Sequence, residues 1–225
     1  ADDLDRSVTF MPVCGDDMFV AGIHVNISLR ANGSNVFYDE ATENRQSAVM
    51  RSFLGGVMQT LQGAVTFAYP TVNSCRRMAD ISSAPTMALW GENNKTVAVR
   101  TLTRDRNSAR IEYRIPSGDS NVYLVIAALL AGGIAGIEGS IEPPEPFNAM
   151  GWSLPGGEYP ELPRNLLSAS EAFASDATLT AAFGHDFVTH WTGSRRSEWW
   201  QYHNAAMQPE DEVSDWELDR YFDAI

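Results

Sequence analysis

Arg110-Ile111-Glu112-Tyr113-Arg114-Ile115-Pro116 is the stretch on which the reading of this chain turns. Apolar Ile111, Tyr113 and Ile115 alternate with charged Arg110, Glu112 and Arg114, the period of two that marks a half-buried strand. One face of that strand then carries two guanidiniums flanking a carboxylate. Two readings fit this pattern. A cleft where a phosphate, a substrate carboxylate and a metal ion meet needs such charges. A surface ion-pair ladder would produce the same spacing.

The neighbouring sequence is rich in arginine: Arg76, Arg77, Arg100, Arg104 and Arg106 join Arg110 and Arg114, in a chain whose net charge is -13. Upstream, Ile23 to Leu29 alternates as a second strand and places His24, Asn26 and Ser28 on one face. A histidine and a glutamate from separate strands suit Mg²⁺ or Mn²⁺, with phosphate oxygens completing the shell; a structural histidine fits the same position. Strands are also expected at Val8 to Met11, Val36 to Tyr38 and Val97 to Leu102.

Helices alternate with these strands. Val49, Phe53, Val57, Leu61 and Val65 recur every four residues and predict one helix over Gln46 to Thr66, ended by Tyr69-Pro70-Thr71. Asn121 to Ile137 reads as a buried helix; its Val122–Ile137 run is short for a bilayer and contains Gly132, Gly133 and Gly136. After the Pro-rich break at Glu142 to Pro146 and a loop from Gly151 to Pro163, helices are expected from a capping box at Ser168 to Glu171, over Thr178 to Thr189, over Glu198 to Ala206 and at Trp216 to Phe222. The aromatics of Trp191 to Trp200 read as packing or subunit contact. Together these elements predict one α+β domain over 1–225.

The acidic balance argues against a nucleic-acid partner, whose phosphates need clustered Lys and Arg. Cys14 and Cys75 are too few for a disulfide scaffold and form no CxxC, so free thiols in a reducing cytoplasm are expected. The acidic start is the wrong charge for a signal peptide, and no membrane partner is expected. Three glycosylation-type tripeptides, at Asn26, Asn32 and Asn94, read as coincidence without other signs of secretion.

Five stretches, in one order, resemble the glutamine synthetase family. Thr9-Phe10-Met11-Pro12 is similar to "TFMPKP", and Gly22-Ile23-His24-Val25-Asn26-Ile27-Ser28-Leu29 to "GxHxHxSL". Tyr69 to Arg77 looks like "PTxNSYKR", Arg110 to Pro116 like "RIExRxP", and Asn121-Val122-Tyr123-Leu124 like "NPYL". The resemblance implies the family's C-terminal catalytic domain, with an antiparallel sheet and flanking helices. It implies a ligase that uses ATP to convert a carboxylate to an acyl phosphate, which an amine then attacks. It also implies roles. His24 and Glu112 would hold the metal, and Arg77 and Arg114 the acid substrate. Arg100 and Lys95 would be catalytic, and Arg110, Ser28 and Asn26 would face the nucleotide. A ring-shaped homo-oligomer is implied as well.

Departures from the family pattern narrow the expectation. Ser83 stands where ammonia-using members carry the Glu of "GYEAP", and a serine is no general base at neutral pH without help. Ala84 to Thr96 is similar instead to the "APTxxxWGxDNRT" pattern of γ-glutamylpolyamine synthetases, with Lys95 in place of Arg. An organic amine is therefore the expected acceptor, and glutamate or a related acid the expected donor. Asn26 replaces the second His of "HxH", Val13 replaces a Lys, and Phe19-Val20 replaces an Asn-Gly pair. These losses keep open a non-catalytic nucleotide-binding or assembly protein. The family's N-terminal β-grasp domain and the start of its catalytic domain have no counterpart here, and are expected from a longer parent chain or a partner.

Overall fold

The sheet that carries Glu112 has four strands in the order β1-β6-β5-β4. They are β1 (Val25–Ile27), β4 (Trp90–Glu92), β5 (Val99–Leu102) and β6 (Arg110–Tyr113). The computed structural model describes residues 4, 7–15, 20–78, 84–152, 154–205 and 212–223. β6 is antiparallel to both neighbours, with Asn26 of β1 and Arg100 of β5 both paired to Glu112. β4 runs parallel to β5, so the sheet is mixed at that edge. A small ribbon, β2 (Arg30–Ala31) with β3 (Ser34–Asn35), turns through Asn32 and Gly33 at positive φ. The expected strand at Val36 to Tyr38 is displaced to β3, and Tyr38 makes one isolated bridge to Gln46. Val8 to Met11, expected as a strand, pairs with nothing as a strand, and Met11 plugs into the core instead.

The apolar face of the sheet, with Val99, Ile111 and Tyr113, packs against helices α1 (Ala48–Gln59), α2 (Leu61–Ala68) and α4 (Val122–Gly139). Phe53, Leu54, Leu61, Phe67 and Trp90 are all at most 1% exposed, each stabilising the fold by about 2 kcal/mol. The single helix expected over Gln46 to Thr66 is two. Ser47 caps the first by accepting from the Met50 amide. At Thr60 the hydroxyl donates back to the Gly56 carbonyl, and ψ swings to 3°, which interrupts the helix. α4 crosses α1 on glycines: Gly136 and Gly56 approach so closely that a Cβ on either would overlap the other helix's backbone.

α4 is less buried than its composition predicts. Only 33% of it is covered within the chain, and Val122, Tyr123, Ile126 and Ile134 are exposed. By length and apolarity alone it is also long enough to cross a bilayer. Its inner face is inside because the glycines let α1 come close; the rest of its apolar surface faces outward.

The C-terminal third clasps this core through α5 (Leu166–Ser175), α6 (Ala177–Phe183), α7 (His185–Ala205) and α8 (Asp215–Tyr221). α5 begins before the expected capping box, because Asn165 is the cap and Ser168 its reciprocal partner. Gly184, at φ 80°, divides the helix expected over Thr178 to Thr189, and α7 then runs unbroken through the separate helix expected from Glu198. Ala206 lies outside the described residues. Phe67, Phe173, Phe183, Phe187 and Trp191 stack into one aromatic ladder, with Trp191 Nε1 donating to Thr66 at 2.9 Å.

Two ion pairs lock the end of the chain. Glu217, fully buried, accepts from Arg76 at 2.7 and 2.8 Å and from Asn73 at 3.0 Å. Glu198 accepts from Arg220 at 2.6 Å and from Tyr221 at 2.7 Å. Burial pushes both carboxyls up, but these hydrogen bonds and charges outweigh it and leave both below the usual glutamate value. A carboxyl depressed in the folded state contributes stability above its unfolded pKa and loses it as pH falls through its folded value. The clasp is therefore expected to loosen below about pH 4.5, the ordinary glutamate value. Thermal midpoints followed by tryptophan fluorescence should fall on that acid limb. Glu217→Gln should flatten the limb and cost about 3 kcal/mol at neutral pH.

Candidate active site

β1 and β6 lie side by side and bring their two outward rows together. Along 23–29, side chains alternate between partly buried and exposed, with His24, Asn26 and Ser28 outward. On β6 and just beyond it, Arg110, Glu112 and Arg114 share that outward face. Glu112 is the hub. One oxygen accepts from Arg114 at 3.0 Å and lies 3.1 Å from His24 Nδ1; the other accepts from Arg100 at 2.9 Å. Arg110, two residues before Glu112 on β6, donates from Nε to Asn26, the residue opposite Glu112 on β1, at 2.9 Å. Five other expected site residues thus meet at Glu112 or pair directly beside it: His24, Arg100, Arg114, Asn26 and, through Asn26, Arg110.

Arg77 arrives from a different element. Thr71 and Ser74 form a reciprocal cap for α3 (Val72–Cys75), which runs into a 3₁₀ turn over Arg76–Met78. Both hydroxyls also donate to Asp119. Asn73 clamps Val13 through two hydrogen bonds of 2.8 and 2.9 Å, and Arg76 is held by Glu217. In this motif only Arg77 is aimed toward the charged face; its neighbours build the mount. Its guanidinium donates to the Ile115 carbonyl at 2.9 Å and lies against Gly22. A Cβ at Gly22 would come within 2.1 Å of Arg77 Nη2. Gly22→Ala is therefore expected to push the Arg77 guanidinium off the Ile115 carbonyl with the unfolding midpoint nearly unchanged, since the obstacle is the far end of a flexible side chain; arginine side-chain NMR and thermal unfolding check the two halves.

The electrostatics of the cluster follow from crowding. Burial lowers the His24 pKa, Arg114 and Arg77 lower it further, and Glu112 opposes them; the net is below the ordinary 6.5, so the imidazole is neutral at pH 7. Burial raises Glu112, but Arg100, Arg114 and His24 overcome it and keep the carboxylate ionised. Arg77, Arg100 and Arg114 each leave a buried Nε with no hydrogen-bond acceptor among the described residues. Buried donors without acceptors are costly, and Arg100 and Arg114 carry theirs on either side of Glu112.

The remaining expected residues lie further out. Ser28 is exposed at the far end of the outward row, and Lys95 is exposed in the turn between β4 and β5, with no contact to the Glu112 cluster among the described residues. Val20 is partly buried beside the Gly22 segment; Phe19 and Ser83 lie outside the described residues. The mounting residues Asn73 and Arg76, and the close approach at Gly22, had no distinguishing signal beyond their place in a motif.

The glutamine synthetase catalytic-domain family matches residues 1–221. The chain belongs to that family. Glutamine synthetase of Thermus thermophilus is 32% identical over 218 residues, covering 95% of this chain and 47% of that protein. The γ-glutamylethanolamide synthetase of Streptomyces coelicolor is 35% identical over 203 residues, covering 90% of this chain and 41% of that protein. Among solved structures, ligand-free GmaS superposes with a TM-score of 0.77 at 31% identity, over 94% of this chain and 47% of that one. The chain thus spans about half the length of these glutamine-synthetase-type relatives. The α+β fold expected from the sequence is the family's.

As a donor set for a divalent cation, the site supplies a neutral imidazole and an ionised carboxylate 3.1 Å apart. That fits two ligands of a Mg²⁺ or Mn²⁺ shell. No group of three or more His, Cys, Asp or Glu is placed to hold a metal among the described residues, so further ligands must be phosphate, water or other residues.

Proposed function

We propose that this chain is the C-terminal catalytic part of an ATP-dependent ligase that joins glutamate, or a related acid, to an organic amine. The observation that carries this reading is the set of arginines around Glu112 whose buried Nε atoms lack acceptors. Family members use ATP and divalent metal ions, and the γ-glutamylethanolamide synthetase relative is named for an amide of an organic amine.

In this reading Arg77 and Arg114 hold the acid. Its side-chain carboxylate attacks the terminal phosphorus of ATP, ADP departs, and an acyl phosphate forms. Arg100 and Arg110 balance charge on the phosphoryl oxygens, since phosphoryl transfer depends chiefly on positioning and charge stabilisation. The amine nitrogen then attacks the acyl carbon, phosphate leaves, and a proton is lost. His24 and Glu112 would hold the divalent ion, whose role is to neutralise phosphate charge. Asn26 orients Arg110, while Ser28 lies toward the nucleotide and Lys95 supplies charge from the β4–β5 turn. The complete site is proposed to form in the parent protein, in a ring-shaped homo-oligomer acting in the cytoplasm.

One observation favours a non-catalytic binding or assembly role: both Glu112 oxygens are already engaged by Arg100, Arg114 and His24. The deciding experiment is ATP-dependent phosphate release by the complete parent protein, with glutamate and amines from ammonium to diamines. Release that needs both glutamate and one organic amine is the expected result. Mg·ATP binding without release for any acid–amine pair would replace the ligase with the binding role.

A further inference from the structure

Arg100 faces two directions. Its Nη1 donates to Glu112 at 2.9 Å, and its Nη2 donates to Asn93 Oδ1 at 2.5 Å. Asn93 sits just past β4, at φ 51°, in the left-handed region. Its own amide donates to the Thr101 carbonyl at 2.9 Å, which ties it to the strand that carries Arg100. On the outer side of Arg100 lies a cavity of about 500 Å³, bordered also by Glu43, Glu92, Asn93 and Arg104. That space, bordered by Arg45 and Arg104 as well as by Glu43 and Glu92, leaves the guanidinium room to swing away from Glu112. Asn93 Oδ1 is a neutral acceptor placed to stop that swing.

We propose that Asn93 is a positioning residue that latches Arg100 in the orientation needed to meet the phosphates of ATP. The inference rests on the ligase reading for its chemistry, but not for its test. With both ends of the guanidinium fixed, little orientational freedom remains to be lost when an anion arrives. Without the latch, Arg100 divides its time between Glu112 and the open space of the cavity.

A bland alternative is that asparagine stands here only because it tolerates positive φ. Asn93→Gly separates the two, since glycine adopts that conformation at least as readily but has no Oδ1. Asn93→Asp keeps the oxygen. In the complete parent protein, Mg·ATP binding by calorimetry is expected to weaken roughly tenfold in Asn93→Gly, the loss of one charge-assisted hydrogen bond. The unfolding midpoint should stay level or rise, and Asn93→Asp should bind within about threefold of the parent, since the charge-assisted acceptor is retained. In an Arg100→Gln background, Asn93→Gly should have no further effect, because the two act through one contact.

Equal Mg·ATP binding by Asn93→Gly and the parent protein, or an undiminished loss in the Arg100→Gln background, overturns the latch. The two proposals fail separately. Weakened binding in Asn93→Gly, with no phosphate release from the parent protein for any acid–amine pair, leaves the latch standing and removes the ligase. Release that is amine-dependent and indifferent to Asn93→Gly does the reverse. A parent protein that binds no Mg·ATP removes both.

Discussion

Glu112→Ala is expected to lower the stability of the folded chain by about 3 kcal/mol and to abolish measurable Mg·ATP binding by the parent protein. The reason is the company Glu112 keeps. Arg100 and Arg114 have side chains only 13% and 11% exposed, and both depend on this one carboxylate for their ion pair. Removing it leaves two guanidiniums facing each other beside His24, with like-charge repulsion where there had been attraction. Glu112→Gln keeps the shape and one acceptor oxygen, so it should recover part of the stability but not the binding. Urea unfolding of the three forms, with calorimetry of Mg·ATP, checks both halves. If Glu112→Ala unfolds at the same urea concentration as the parent, the cluster is an exposed ladder of ion pairs and the cleft reading loses its physical basis.

Gly56→Val should destabilise the fold by about 3 kcal/mol or more, or prevent it from forming. A Cβ at Gly56 would lie 2.0 Å from the Gly132 carbonyl oxygen and 2.6 Å from Gly136 Cα. The obstacle is backbone on both sides, which cannot turn out of the way as a flexible side chain can. α1 and α4 would have to separate, opening the core around Phe53, Leu54 and Val57. The same geometry read from α4 makes Gly136→Val comparably severe, since its Cβ would meet the Ser52 carbonyl oxygen at 2.1 Å. By contrast, Gly193→Ala should change the midpoint little or raise it slightly, because nothing lies within 4 Å of a Cβ there and alanine favours helix. Thermal unfolding of the three variants provides the comparison. A small effect at Gly56 would mean that the two helices slide past each other at little cost.

The features that the sequence places correctly share a local cause. The row His24, Asn26, Ser28 is outward because consecutive residues of an extended chain point to opposite sides, whatever the chain later packs against. The start of α4 near Asn121 has a local cause too, since the Asn121 side chain bonds amides only two and three residues ahead. The misplaced elements have distant causes. The break at Thr60 goes with a hydroxyl bonding its own helix beneath the close approach of Gly132 on α4. Val8 to Met11 has strand-like composition, but strand identity needs a partner, and Met11 is used as a plug.

By itself, the sequence determined which side chains could share a face and which stretches match the family, because both follow from order and spacing along the chain. It placed Arg110, Glu112 and Arg114 in one row, and His24 in another. Only the tertiary structure decided that these rows are one row. Strand register depends on pairing across dozens of residues, and a slip of one residue would turn Arg100 away from Glu112. The same holds for Arg77, mounted by contacts to Val13 and Glu217 through its neighbours, and for Asn93, whose reach to Arg100 exists only because β4 lies beside β5.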